Sequence, residues 1–363
     1  GLMQLVAYGA QDVFLTSNPQ ITFFKVVYRR HTNFAIESIE QTFNGAADFG
    51  RKVTANISRN GDLITNVYLQ VTLPKVSDSA NGLATYVNAV GHALMKTIEL
   101  EIGGQKIDKH FGEWLDIWSN LTMPEEKRNG YKEMVGISDT GTTLLKDETT
   151  LYIPLQFFFN RNPGLALPLI ALQYHEVRIN IEFRKFLELL KESDGLTENA
   201  RELVDGSLFV DYVYLDTDER RRFAQVSHEM LIEQLQFTGD EAISAATADK
   251  SEKFRLNFNH PVKELVWVYV SDENMAGNEY FDYSSDGSEP IKSAKLLLNG
   301  HDRFSQRPGS YFRLVQPYQH HTRVPSKHVY CYSFALKPEE HQPSGTCNFS
   351  RIDNATLNVT FPT

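Results

Sequence analysis

Apolar residues recur at every second position in four separated stretches of the chain. Leu63, Thr65, Val67, Leu69, Val71 and Leu73 form one row, and Ile98, Leu100 and Ile102 another. Val177, Ile179, Ile181 and Phe183 form a third, and Ala355, Leu357, Val359 and Phe361 the last. Neighbouring side chains of a strand point to opposite faces, so each row predicts a strand with one face on a core. Turn-forming residues stand between the rows: Asn60-Gly61-Asp62, Gly103-Gly104, Asn162-Pro163-Gly164, Asn299-Gly300 and Pro343-Ser344-Gly345. Many short strands with such punctuation predict antiparallel β-sandwiches.

Helical spacing is scarce. Trp114, Leu115, Trp118 and Leu121 predict a helix over 112–121, and Pro124-Glu125-Glu126 is a suitable first turn for another over 124–135. Residues 185–204 predict one or two short surface helices broken at Gly195. These elements read as insertions between strands.

The pattern also repeats. LITNVYLQV (63–71) matches LVWVYV (265–270), and IELEIGGQKID (98–108) matches KLLLNGHDRF (295–304). HEVRINIEF (175–183) matches DNATLNVTF (353–361). Arg29-Arg30 precedes IESIEQTFNG as Arg221-Arg222 precedes LIEQLQFTG. The offset drifts, as it does when loops change length and strands do not. Four matches in one order predict two copies of one sandwich, at 28–215 and 216–363, behind an arm of residues 1–27.

Composition supports β structure, with 12% aromatic residues among 363. The net charge of −10 argues against an extended phosphate-binding surface. Two cysteines, Cys331 and Cys347, make no disulfide framework. No apolar run is long enough to cross a membrane as a helix, and the first residues lack a signal-peptide shape, so classical secretion is not expected.

Few residues suggest chemistry. His320-His321, with His328 and His341 nearby, is the best metal candidate, but adjacent histidines in a strand face opposite ways, and a loop or surface role is expected. Glu99 and Glu101 share a strand face, which reads as solvated rather than as a glycosidase pair. Cys331, inside VYCYSF, reads as a buried, inert thiol, and Cys347 has no histidine partner in sequence. Arg29-Arg30 and Arg220-Arg221-Arg222 are the basic clusters, expected to pair with acidic groups of a neighbouring domain or subunit. The Asn-x-Ser/Thr triplets at Asn56, Asn120, Asn348, Asn354 and Asn358 read as chance, and Trp114/Trp118 as a packed helical face rather than a sugar platform. No catalytic residue, cofactor site or metal site is assigned.

The stretch TSNPQITFFKVVYRRHTNFAIESIEQTFNG (16–45) closely resembles the N-terminus of the major capsid proteins of nucleocytoplasmic large DNA viruses, above all those of algal viruses. The resemblance continues through ISRNGDLIT (57–65), LEIGGQKIDKH (100–110), NPGLALPLIALQYHEV (162–177), YLDTDER (214–220), EQLQFTG (233–239), LNFNHP (256–261) and QPSGTCNFSRIDNATL (342–357). It implies an all-β tandem double jelly roll, two eight-stranded antiparallel sandwiches with short helical insertions. It also implies a structural protein, not an enzyme, that forms homotrimers of near-hexagonal outline tiling an icosahedral shell. The implied partners are neighbouring capsomers, minor capsid and penton proteins, and an internal viral membrane nearby, with no sequence-specific nucleic-acid binding. The implied location is the virion, assembled in host cytoplasm.

Two other readings compete: a duplicated jelly-roll lectin using Trp114/Trp118, and a glycosidase using Glu99 and Glu101. Residues 75–92, 122–150, 185–206 and 271–292 depart from the family pattern and read as variable loops. Family members continue past the counterpart of NATLNVTF with a final strand region, whereas this sequence stops at Thr363, so either the chain is shortened here or the second roll lacks a strand. Asn18-Pro19 marks a turn within the arm. The arm is expected on the inner face of the shell, with Phe23, Phe24, Val26 and Val27 as apolar anchors and Arg29 and Arg30 opening the first roll.

Overall fold

The computed structural model describes residues 1–139, 144–243 and 250–362. The chain separates into two compact units, residues 1–34 and the remainder from Ala35. The short unit holds two brief helices, Leu2–Val6 and Ala10–Thr16, followed by irregular chain.

Among the described residues, eleven strands run from Phe34 to Leu215. They are β1 (Phe34–Gln41), β2 (Lys52–Asn56), β3 (Leu63–Leu73), β4 (Thr85–Tyr86), β5 (Met95–Ile102) and β6 (Gln105–Phe111). Then come β7 (Thr149–Pro154), β8 (Leu167–Pro168), β9 (Val177–Phe183), β10 (Leu190–Glu192) and β11 (Asp205–Leu215). One sheet has the order β1-β11-β3-β7, with β8 also on β3; the other has the order β2-β9-β5-β6. The two short strands β4 and β10 pair with each other. Apart from the β5–β6 hairpin, successive long strands alternate between the two main sheets, which is the winding of a jelly roll. Their inner faces meet through Val67, Leu69, Leu151 and Leu208 on one side and Ala55, Ile98, Leu100, Ile179 and Ile181 on the other, all fully or almost fully buried.

The row on β3 needs one correction. Ile64, not Leu63, joins Val67, Leu69, Val71 and Leu73 in the main core. Leu63 packs in a separate cluster with Ala166 and Val213. The cause is a bulge in β3 itself: between the pairs Val67–Val210 and Ile64–Tyr212, the two residues Thr65 and Asn66 lie opposite the single Asp211, which shifts the register. Strand sides have a period of two, so a one-residue shift exchanges the faces.

The second half supplies β12 (Ser251–Arg255), β13 (Pro261–Val262), β14 (Glu264–Trp267), β15 (Ser293–Leu298) and β16 (His301–Asp302). It ends with β17 (Arg307–Pro308), β18 (Tyr330–Ser333), β19 (Cys347–Asn348) and β20 (Ala355–Thr360). The order β12-β20-β15-β16 repeats β2-β9-β5-β6. The pair β14–β18 repeats β3–β7, and β13–β19 repeats the short pairing of β3 with β8. These are the strands that the sequence repeat aligns. The hairpin turns repeat as well. Gly103 and Gly104 (φ +60° and +80°) join β5 to β6, and Asn299 and Gly300 (φ +51° and +79°) join β15 to β16. A two-residue hairpin of type I′ needs positive φ at both positions, which Gly and Asn tolerate.

Among the described residues, no strand of the second half takes the place of β1 or β11. Leu231–Gly239, the sequence counterpart of β1, is not a strand. It lies along β6 instead, where Gln234 donates to the Ile107 carbonyl and Phe237 meets Phe111 edge-on at 5.0 Å. In the first half β1 pairs with β11. The segment finds hydrogen-bond and ring partners on β6 rather than in a sheet.

The predicted helices appear at Gly112–Thr122 and Glu125–Val135, the second ending at Gly136 (φ +74°). Residues 185–204 differ from expectation. They hold a single 3-10 turn, Leu187–Leu189, then β10 and turns. Phe186, Leu189 and Leu190 are buried in the main core, and burial on successive residues suits an irregular segment rather than one helical face. Thr217–Gln225 is a helix the alternation did not reveal; Asp216 caps it through the Thr217 amide.

Candidate assembly surfaces

A helix with one face on the sandwich forms the seam between the two halves. Gly112 begins it, and a Cβ there would lie 2.2 Å from the His92 carbonyl oxygen, so only glycine permits this approach. Trp114 and Trp118 pack 5.5 Å apart on this helix, and the Arg161 guanidinium covers Trp118 at 4.1 Å. Trp118 is thus buried under protein rather than presented as a platform.

Asp116 on the same helix is fully buried. Lys327 of the second half places Nζ 3.0 and 2.8 Å from its two carboxylate oxygens. Burial pushes the Asp116 carboxyl up, but Lys327 and His92 outweigh it and hold it below its ordinary value. One turn on, Arg323 donates to the carbonyl and side-chain oxygens of Asn120 at 3.2 and 3.0 Å. The Asn120 triplet is therefore closed to a glycan. Arg161 pairs with Glu233 at 3.5 Å, and Glu233 also pairs with Lys263. Tyr280, Phe281, Tyr283 and Val329 belong to the same hydrophobic cluster as the first sandwich. The region 271–292, expected as a variable loop, thus contributes part of the weld between the halves.

The histidine group is dispersed. His321 is buried and donates from Nε2 to Glu264 at 2.7 Å and from Nδ1 to Glu339 at 2.8 Å. Burial lowers its pKa, but Cys331, Glu264 and Glu339 overcome that and push it up to about 12. His320 instead faces the Leu336 carbonyl at 3.0 Å. Among the described residues no three His, Cys, Asp or Glu side chains gather as a metal site. Cys331 is buried, and Cys347 is half-buried. Glu99 sits among Lys52, Lys106 and Lys109 at 3.3–3.4 Å, and Glu101 faces Arg178 at 3.9 Å. This is a ladder of surface charges. In the second basic cluster, Arg220 pairs with Asp62 of the first half at 3.0 Å.

The arm is different. Phe23, Phe24, Val26, Val27 and Tyr28 are each more than two-thirds exposed. Arg29 and Arg30 are exposed too. The helix Ala10–Thr16 is closed at its start by Asp12, which accepts from the Gly9 amide at 2.8 Å, and the chain turns at Asn18 (φ +51°) before Pro19. Neither arm helix was legible from strand-type alternation.

A second apolar surface lies on the outward face of the β1-β11-β3-β7 sheet. Tyr68 stacks on Phe209 at 5.3 Å with an interplanar angle of 6°, and Tyr152 lies 6.3 Å from Tyr68. Ser38 Oγ reaches Tyr68 Oη at 3.5 Å, which places Ile36, Ser38 and Glu40 on this same side of β1. Sequence reading missed this row, although its signal is present: aromatic residues occupy positions that the alternation assigns to solvent.

Comparison with known proteins places these features in context. Residues 22–216 match the family model for the major capsid protein N-terminus, and residues 219–363 match that for the large eukaryotic DNA virus major capsid protein. The major capsid protein of Pyramimonas orientalis virus is 56% identical, with 99% of this chain and 91% of that protein aligned. That of Paramecium bursaria Chlorella virus 1 is 49% identical, covering 100% and 87%. The crystal structure of VP54 from PBCV-1, fitted into a cryo-EM reconstruction of the virophage Sputnik, superposes with a TM-score of 0.83 at 44% identity, covering 94% of this chain and 87% of that one. The Faustovirus major capsid protein shares the fold, with a TM-score of 0.75 at 12% identity over 98% and 90% of the chains.

Proposed function

Because this chain belongs to the large eukaryotic DNA virus major capsid protein family, we propose that three copies join into one capsomer of near-hexagonal outline. The chain is a structural protein of the icosahedral capsid of a large virus and not an enzyme. The observation that carries the trimer is the internal duplication: β2-β9-β5-β6 and β12-β20-β15-β16 have the same order. Two similar lobes per chain give a threefold assembly six similar edges, so neighbouring capsomers can meet through near-equivalent contacts.

Within this reading residues 1–27 are an arm, 28–215 the first roll and 216–363 the second. The arm lies on the inner side of the shell. Phe23, Phe24, Val26 and Val27 are its anchors, and Arg29 and Arg30 lead into the first roll. There it ties copies to each other, to minor capsid and penton proteins, or towards an internal membrane. Its exposed apolar residues support this, since such a surface calls for cover. Assembly takes place in the host cytoplasm. Sedimentation of the purified chain tests the central point: a trimer at micromolar concentration supports it, and a monomer at every concentration overturns it.

A further inference from the structure

We propose that the basic, apolar segment 21–30 of one copy's arm docks on the outward face of the β1-β11-β3-β7 sheet of a second copy. This rests on the reading of the chain as a self-assembling shell protein.

The two surfaces are complementary in charge. The outward face carries Glu40, Asp205 and Asp211, and the strands of this sheet hold no Lys or Arg at all; Glu37 lies on the other side of β1. None of these carboxylates has an ion-pair partner among the described residues; Asp211 accepts from the Asn66 amide at 3.2 Å and Glu37 from the Tyr214 hydroxyl at 3.4 Å. The opposite sheet is unlike it. Its strands carry Lys52, Lys96, Lys106, Lys109 and Arg178, and each of these is paired with a glutamate. The sandwich thus has one face with its charges balanced and one that is acidic and lacks cations.

The arm has the opposite character. Residues 17–33 contain Lys25, Arg29 and Arg30 and no acidic residue. Both surfaces are also apolar. On the arm, Phe23, Phe24, Val27 and Tyr28 are more than 80% exposed. On the sheet, Ile36 is 57% and Tyr152 is 39% exposed, beside the Tyr68–Phe209 stack. Burying aromatic side chains against each other removes the largest area from water, and arginine adds favourable stacking on tyrosine. Lysine and arginine placed near Glu40 and Asp211 fix the direction of docking. An arm from one copy on the sheet of the next is a head-to-tail contact, which closes into a ring when the rotation between copies allows it.

The test uses full-length chains with Cys347→Ser as background. One variant carries Phe24→Cys; a second carries Tyr152→Cys, and a control carries Lys96→Cys on the opposite sheet. Because the two cysteines start on different chains, any disulfide between them joins two copies. The expected result on mild oxidation is a joined pair between Phe24→Cys and Tyr152→Cys, at least fivefold more abundant than the pair with Lys96→Cys. Equal yields, or a preference for Lys96→Cys, overturn the proposal. In parallel, Arg29→Glu/Arg30→Glu and Glu40→Lys/Asp211→Lys should each raise the concentration needed for association at least fivefold. Mixing the two charge-reversed chains should recover part of the loss, and failure to recover any overturns the pairing. A chain that associates normally without the disulfide preference refutes this contact and leaves the shell reading standing. A chain that never associates refutes both.

Discussion

Lys327 Nζ and the Asp116 carboxylate meet at 2.8 Å although 211 residues separate them. Asp116 belongs to a helix of the first half and Lys327 to the second, so this pair joins the two halves at a buried point. Removing one partner of a buried pair leaves a charge in a poorly solvated place.

Lys327→Met should therefore destabilise the protein by about 3 kcal/mol. The measurement is the urea midpoint at pH 7. Asp116→Asn combined with Lys327→Met should recover a substantial part, because neither charge remains. Asp116 has a lowered carboxyl pKa in the folded chain, so its contribution is present above its ordinary value of 3.8 and fades as the pH falls through the lower folded value. A Lys327→Met penalty that persists undiminished at strongly acid pH would contradict this assignment.

His321 has the opposite pH dependence. Its folded pKa of about 12 lies above the ordinary 6.5. Its contribution is complete below pH 6.5 and declines as the pH rises towards the folded value. The stability difference between the parent and His321→Gln should be largest near pH 6 and clearly smaller at pH 9, measured by urea unfolding at each pH. Glu339 carries a lowered pKa, set by burial against the His321 and Thr322 hydrogen bonds, so its own share is lost only in acid. A difference that grows between pH 6 and pH 9 would contradict the buried imidazolium.

Gly112→Ala should destabilise the seam by about 1–3 kcal/mol, because the new methyl group would meet backbone oxygens of His92 and Met95 rather than a movable side chain. Gly130→Ala, on the next helix with nothing within 4 Å, serves as control and should be neutral or slightly stabilising. Thermal unfolding of the two variants distinguishes them.

Deleting residues 1–27 should leave the sandwiches folded and impair association. Circular dichroism of the deleted chain should keep its β signal and its unfolding midpoint within a few degrees, while sedimentation should show weaker association. A deleted chain that assembles normally would remove the arm from the account.

The strands were legible because alternation marks any sheet with one buried face. Val177, Ile179 and Ile181 on β9 and Leu357 and Val359 on β20 are buried as their spacing requires. The duplication was legible because hairpin chemistry survives when loops drift, as Gly103-Gly104 and Asn299-Gly300 illustrate. What stayed hidden depends on distant partners. Nothing near Asp116 in sequence indicates Lys327, and nothing near His321 indicates Glu264. The register shift at Leu63 is a bulge in β3 at Thr65–Asn66, which shows only once its pairing with β11 is known. Residues 185–204 misled because a run of Leu and Glu reads as helix until the core claims Phe186, Leu189 and Leu190 together.

The central claim is that one duplicated chain builds a three-copy capsomer. Electron-microscope class averages of the purified protein test it most directly. The account predicts particles of near-hexagonal outline with threefold internal detail. Isolated two-lobed particles, the size of a single chain at every concentration tried, would contradict it.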